Sequence, residues 1–221
     1  MDDAAATTLD SDATRERDAM VRDQIQARGV ADPRVANIMR VVPRHLFVPA
    51  EDRAHAYEDC ALPIGHGATI SQPIVVATML EALHLDGMER VLEIGTGSGY
   101  STALLCELAG EVWSIELDAH LAQRAADLLR KLGYRDRLHL RAGHGEEGWP
   151  SAGPFDRIVL GCAPPHVPKP LLEQLADGGR LVAPVGPKDR QKLVAVERHG
   201  ARFTKTDLGD VRFVPLRESD G

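Results

Sequence analysis

The chain has 221 residues, 43% of them hydrophobic and 27% charged, and a formal net charge of −7. That length supports one sizeable domain and excludes two full catalytic domains. The acidic balance offers no cationic field to a phosphate backbone, which argues against nucleic acid as a partner.

Residues 1–13 hold too few large apolar groups to offset ordering entropy, and are expected to form a disordered tail before a single domain over 14–221. The opening MDDAAATTLDSDATRERD lacks the basic start and apolar stretch of a secretory signal. No run of about 18 apolar residues follows that would span a membrane. A cytoplasmic monomer is the expectation.

Residues 14–86 read as a helical and loop part. From Thr14, the spacing of Met20, Val21 and Ile25 predicts an amphipathic helix closing near Gly29. Pro33 opens a second helix, with Val35, Ile38 and Met39 on one face and Pro43 beyond its end. The stretch EDCALPIGHGATISQP is punctuated by Pro63, Gly65, Gly67 and Pro73. It predicts a long ordered loop feeding a helix from about Ile74 to Leu83.

Residues 87–221 read as an α/β core. RVLEI, EVWSIEL, RLHLRAG, FDRIVLGC and GRLVAPVG have the character of strands, and SGYSTALLCELA, AHLAQRAADLLRKLG and PKPLLEQLADGG that of the helices between most of them. This alternation predicts a doubly wound, Rossmann-like and mostly parallel sheet of about seven strands. QKLVAVERHG and DVRFVPL supply the last two, joined by a short polar link that suits an antiparallel edge.

Gly95, Gly97 and Gly99 follow the first strand of this core and precede a helix. Missing side chains there permit a sharp turn and let a ligand reach main-chain N–H groups, beyond the carboxyl ends of the strands. The dinucleotide fingerprint GxGxxG does not fit, because the third glycine comes one residue early and Tyr100 takes its place. Glu116 ends the second strand, where a carboxylate accepts two ribose hydroxyls; NAD and S-adenosylmethionine are served equally. Cys60, Cys106 and Cys162 are odd in number and far apart, so they read as reduced thiols. The nine histidines form no HExxH pattern, and no metal is expected.

LEIGTGSGY with SIEL resembles the cofactor site of S-adenosylmethionine-dependent methyltransferases, in which an acid stands two residues before the GxGxG loop. Glu93 fills that place. A carboxylate there suits a ligand carrying an ammonium and a sulfonium, and repels a pyrophosphate. In chain order, VPRHLFV, ALPIGHGATISQP, GHGEEGW, APPHVP, GGRLVAPVG and VRFVPL resemble the protein-L-isoaspartate O-methyltransferases over roughly residues 17–216.

The resemblance implies methylation of the free α-carboxylate of isoaspartyl residues in damaged proteins and peptides, with repair following through a succinimide. It assigns the active-site serine to Ser71, whose hydroxyl can donate to one carboxylate oxygen and leave the other to attack; the local alternative is a helix N-cap. It puts Thr69 and Ile70 beside the cofactor and adds Ser98 and Leu117 to the cofactor set. His144 and Gly145 stand where the family has an aspartate and glycine, the aspartate accepting from the adenine amino group. A neutral imidazole still accepts and a charged one does not, so the resemblance implies cofactor binding that weakens as the pH falls. Two other readings remain open. One is a carboxyl methyltransferase dedicated to an aspartyl or isoaspartyl residue of a single peptide natural product. The other is a non-catalytic adenosyl-ligand-binding domain, against which the intact Gly95, Gly97, Gly99, Glu116 and Ser71 argue.

Overall fold

Apolar runs that can be buried on both faces take the centre of the sheet, and the computed structural model, which describes residues 12–216, shows them there. The first helix, α1, covers 12–28, loosening to a π-helix over Met20–Ile25 and tightening over Gln26–Arg28. Met20, Val21 and Ile25 are its buried residues, and it stops at Gly29 in a left-handed conformation. Of the expected tail, residues 1–11 lie outside the described residues, and residues 12 and 13 already belong to α1. Helix α2, Pro33–Val41, is capped by the Asp32 side chain, which accepts from the Arg34 N–H at 2.8 Å.

The long loop is more regular than its glycines and prolines suggest. Leu62–Gly65 (β1) and Ala68–Ile70 (β2) pair as a small antiparallel hairpin, turning at His66 and Gly67. Helix α3, Pro73–Leu83, follows directly.

The α/β core then runs β3 (Arg90–Ile94), α4 (Tyr100–Leu108), β4 (Glu111–Glu116), α5 (Ala119–Lys131), β5 (Leu138–Ala142), β6 (Phe155–Leu160), α6 (Lys169–Glu173), β7 (Leu175–Val185), β8 (Gln191–His199) and β9 (Arg202–Val211). The seven strands lie in the order β5-β4-β3-β6-β7-β8-β9. β3 to β7 are parallel, and β8 and β9 complete the edge antiparallel. Alternate residues of the central strands feed two cores. Val91, Val112, Val159 and Val182 meet α1 to α5 on one face, while Leu92, Ile115, Ile158 and Leu181 pack with Trp113, Phe155 and the Leu171 of α6 on the other.

Two expectations need correction. PKPLLEQLADGG is helical only over Lys169–Glu173, because Leu175 already pairs with Phe155 and begins β7. The last strand is RFTKTDLGDV rather than DVRFVPL. β9 is an edge strand, mostly exposed, so it needs no apolar alternation, and its exposed Lys and Asp side chains suit an unpaired edge. The VRFVPL segment instead leaves the edge and runs back over the carboxyl ends of the strands. Ala163 and Val214 join there at 2.8 Å, and the buried Gln191 side chain holds both main-chain groups of Phe213.

Candidate active site

The chain leaves β3 toward β4 and β5, then crosses to β6 on the other flank of β3, so the loops after β3 and β6 part at their carboxyl ends. Gly95 and Gly161 stand at that parting, where the Gly161 N–H donates to the Ile94 carbonyl at 2.8 Å. A cleft of about 980 Å³ opens beside them, with Gly97, Glu116, Leu117 and Leu121 on one wall and Phe213 to Leu216 on the other. Its size matches small-molecule sites.

Three glycines serve two purposes. Gly97 has φ +55°, and the main chain there turns its N–H onto Glu116 Oε2 at 2.7 Å. A second main-chain donor, Asp118 N, reaches Glu116 Oε1 at 3.0 Å. Glu116 is thereby fixed at the end of β4 with acceptor capacity left on both oxygens. Gly99, by contrast, does not line the cleft. It caps α4 at φ +87°, and a Cβ there would come within 3.2 Å of Leu129 on α5. It lets two helices approach. Gly145 lines the cleft but is also required by packing, since a Cβ would run into the Ile94 side chain.

Glu93 sits below the loop, 2% exposed, near the end of β3. Its Oε2 accepts from Thr102 Oγ1 at 2.5 Å and from Ser114 Oγ at 2.7 Å. Burial pushes this carboxyl up to about 7, although the hydroxyl donors pull the other way. It borders a small hollow of about 60 Å³, shared with Ile70, Ser71, Ser98 and Tyr100. A buried acid with no basic partner is a place where a cationic ligand group gains most.

A third hollow, about 630 Å³, takes in Ser71, Gln72, Lys188, Arg190 and Arg212. Thr69, Gly161 and Phe213 line all three hollows, so they mark the junction between them. Ser71 borders the small hollow and the third one, and not the main cleft. The helix-cap alternative for this serine fails: Gln72 is the N-cap of α3, and no side chain caps that helix. Among the described residues nothing pairs with the Ser71 hydroxyl, whereas its carbonyl is held by Arg44 Nη2 at 2.8 Å.

His144 is not brought to the cleft. Its side chain is 46% exposed with Nδ1 3.5 Å from Glu146 Oε1, and it is absent from the cleft lining that its neighbour Gly145 joins. Leu117 does line it and is 37% exposed, an apolar plate beside Glu116. The structure adds Gly161, Phe213, Lys188, Arg190 and Arg212 to the candidate set. VRFVPL carried the resemblance, but reading it as a strand hid the place of Phe213 and Arg212 in the site. Arg44, fully buried, was hidden by its residue type. Among the described residues no helix is long and apolar enough to cross a membrane.

A glycine loop at the switch point, a carboxylate ending the second core strand and a seven-stranded sheet with an antiparallel edge define the Rossmann-like methyltransferase class. Within that class, the protein-L-isoaspartate(D-aspartate) O-methyltransferase family model matches residues 15–221, and the chain belongs to this family. It is 51% identical over 200 residues to the protein-L-isoaspartate O-methyltransferase 1 of Syntrophobacter fumaroxidans, covering 90% of this chain and 93% of that one. It is 52% identical over 205 residues to the protein-L-isoaspartate O-methyltransferase of Roseiflexus castenholzii, covering 93% of each. A solved protein-L-isoaspartate O-methyltransferase superposes with a TM-score of 0.83 at 27% identity, over 91% of this chain and 66% of that longer one. A Plasmodium falciparum chain crystallised with S-adenosyl-L-homocysteine shares the fold, with a TM-score of 0.79 at 23% identity over 91% of this chain and 98% of that one.

Proposed function

We propose that this enzyme transfers a methyl group from S-adenosylmethionine to the free α-carboxylate of L-isoaspartyl residues in peptides and damaged proteins. Family membership supports the reaction class, and one observation carries the acceptor: the Ser71 hydroxyl, unpaired among the described residues, borders a hollow that joins the main cleft at Thr69, Gly161 and Phe213.

The main cleft suits the cofactor by the chemistry of its walls. Glu116 retains acceptor sites for ribose hydroxyls, Leu117 offers an apolar face to a purine, and Gly95 and Gly97 expose main chain. Glu93, buried with its carboxyl pushed up to about 7, suits an ammonium, whose charge favours the carboxylate form. Thr69 and Ile70 border the reacting end, Ser98 lines the small hollow beside Glu93, and Gly99 acts behind them by letting α4 and α5 approach. When bound, S-adenosylmethionine supplies an electrophilic methyl group on a sulfonium.

The protein's own residues then handle the acceptor. A carboxylate with an ordinary pKa near 4 is ionised at neutral pH and needs no general base. Orientation is what remains, and in-line approach at roughly 3 Å is the geometry to be held. Ser71 donates to one oxygen, which leaves the other to attack. Lys188, Arg190 and Arg212 border the same hollow together with Asp189 and Asp210, and Asp210 is held by Lys192 at 2.8 Å, so the three cations outweigh the two carboxylates toward an anionic acceptor. The following main-chain nitrogen then attacks the ester carbonyl and expels methanol, which carries off the N–H proton, closing a succinimide whose hydrolysis returns part of the material to normal aspartate. The mutually unpaired thiols Cys60, Cys106 and Cys162 suit a reducing, cytoplasmic setting.

Mass spectrometry of an isoaspartyl peptide incubated with enzyme and S-adenosylmethionine tests this reading. A methyl ester, then a succinimide, then a mixture of aspartyl and isoaspartyl peptide is expected. No ester from enzyme that binds the cofactor would overturn it.

A further inference from the structure

Arg44 is a buried cation with no acid beside it. Its side chain is 0% exposed, and no carboxylate pairs with it among the described residues. The guanidinium lies 5.1 Å from the centre of the Tyr100 ring and spends its donors on main-chain oxygens, Nε to Ala56 O at 2.7 Å and Nη2 to Ser71 O at 2.8 Å. Nη1 has no partner. Burying a charge without a counter-charge is costly.

The peptide unit it grips joins Ser71 to Gln72. A trans peptide is planar, with the carbonyl of one residue and the N–H of the next pointing in opposite directions. Arg44 draws the Ser71 carbonyl into the protein, so the Gln72 N–H faces the other way. Ser71 and Gln72 both line the 630 Å³ hollow, and Arg44 does not. The Gln72 N–H has no hydrogen-bond partner among the described residues, although the rest of the residue is tied down. Its Nε2 donates to Asp59 Oδ1 at 2.7 Å, and its carbonyl accepts from Val75 and Val76.

We propose that the main-chain N–H of Gln72 is a second donor to the acceptor carboxylate, beside the Ser71 hydroxyl, and that Arg44 is the positioning residue that aims it. A cation on the carbonyl also polarises the peptide group and strengthens its N–H as a donor. Two donors from adjacent residues fix the plane of a carboxylate, which a single rotating hydroxyl cannot do. The inference rests on the isoaspartyl reading given above.

Amide NMR on the enzyme loaded with S-adenosylhomocysteine tests it directly. Titration with an isoaspartyl peptide is expected to move the Gln72 N–H resonance downfield, and titration with the aspartyl twin to leave it in place. Gln72→Pro gives the kinetic counterpart. The native φ of −51° and ψ of 138° lie within the range of proline, so the substitution removes the N–H, together with the Asp59 contact. A rise in peptide KM of roughly tenfold or more is expected, with S-adenosylhomocysteine affinity unchanged, while Gln72→Ala, which keeps the N–H and loses the Asp59 contact, raises KM by less. Arg44→Met should raise peptide KM in the same way and Arg44→Lys recover part of it; a merely structural role would instead lower thermal stability and leave KM alone. A peptide that binds and is methylated without moving the Gln72 resonance overturns the inference and spares the function. A peptide that neither binds nor reacts overturns both.

Discussion

Glu116 Oε2 accepts the Gly97 main-chain N–H at 2.7 Å, so the carboxylate ending β4 and the turn after β3 form one hydrogen-bonded unit. The acid proposed to read the ribose also holds the loop that shapes the cleft. Glu116→Ala removes both functions, and hydrogen bonds to a charged group are each worth about 1.5–3 kcal/mol. Calorimetry with S-adenosylhomocysteine should show affinity lowered by at least about thirtyfold, with Glu116→Gln in between. Unchanged affinity in Glu116→Ala would contradict the assignment.

Glu93 makes stability and cofactor binding depend on pH. Burial raises its carboxyl from 4.5 in the unfolded chain to about 7 in the fold, on the order of 3 kcal/mol. The folded protein therefore binds this proton more tightly than the unfolded chain. The stabilisation is complete below pH 4.5 and is lost as the pH rises through about 7. Glu93→Gln stays neutral and lacks this decline, so the melting curves of the ligand-free proteins should diverge above neutrality, with the variant higher. A cationic ligand favours the carboxylate, and calorimetry near pH 6 in buffers of different ionisation heat should detect proton release on cofactor binding. Parallel stability profiles, or equal proton release in the variant, would contradict this account.

Gly97 and Gly99 separate loop geometry from helix packing. Gly99→Ala places a Cβ against Leu129 at 3.2 Å and in a left-handed conformation, and should cost about 1–3 kcal/mol of stability. The folded fraction should keep near-native affinity for S-adenosylhomocysteine. For Gly97→Ala, which meets only Ile64 at 3.5 Å, affinity should fall by more than stability does. Thermal denaturation and calorimetry on both variants check the contrast.

His144 does not line the cleft and has Nδ1 3.5 Å from Glu146 Oε1, so the pH dependence implied by its place in the motif should be missing. We expect the affinities of the wild type and His144→Asp for S-adenosylhomocysteine to agree within about threefold, less than one hydrogen bond to a charged group contributes. Their ratio should hold steady from pH 8 to 6. A ratio that widens as the pH falls would return the imidazole to the adenine site.

The central strands were legible because burial on both faces leaves adjacent apolar residues, Val91 and Leu92 in one and Ile158, Val159 and Leu160 in another. β9 was not, because an edge strand open to solvent can carry Lys205, Asp207 and Asp210 without loss. The β1–β2 hairpin is too short to show a period. Within the site, spacing alone marked Gly95, Gly97, Gly99 and Glu116, and the family motif marked Ser71. It could not distinguish Gly97, which bends the loop, from Gly99, which admits a helix. Arg44 was illegible for a different reason. Arginine reads as a surface residue, and only the fold shows its charge enclosed and directed at the Ser71 carbonyl.

The most direct measurement of the central claim is the initial rate of labelled methyl transfer to an isoaspartyl peptide and to its aspartyl twin, for the wild type and Ser71→Ala, with S-adenosylhomocysteine affinity measured in parallel. The account predicts labelling of the isoaspartyl peptide alone, a rate at least about tenfold lower in Ser71→Ala, and equal cofactor affinity in the two proteins. Equal labelling of both peptides, or of neither by a protein that binds the cofactor, would contradict it.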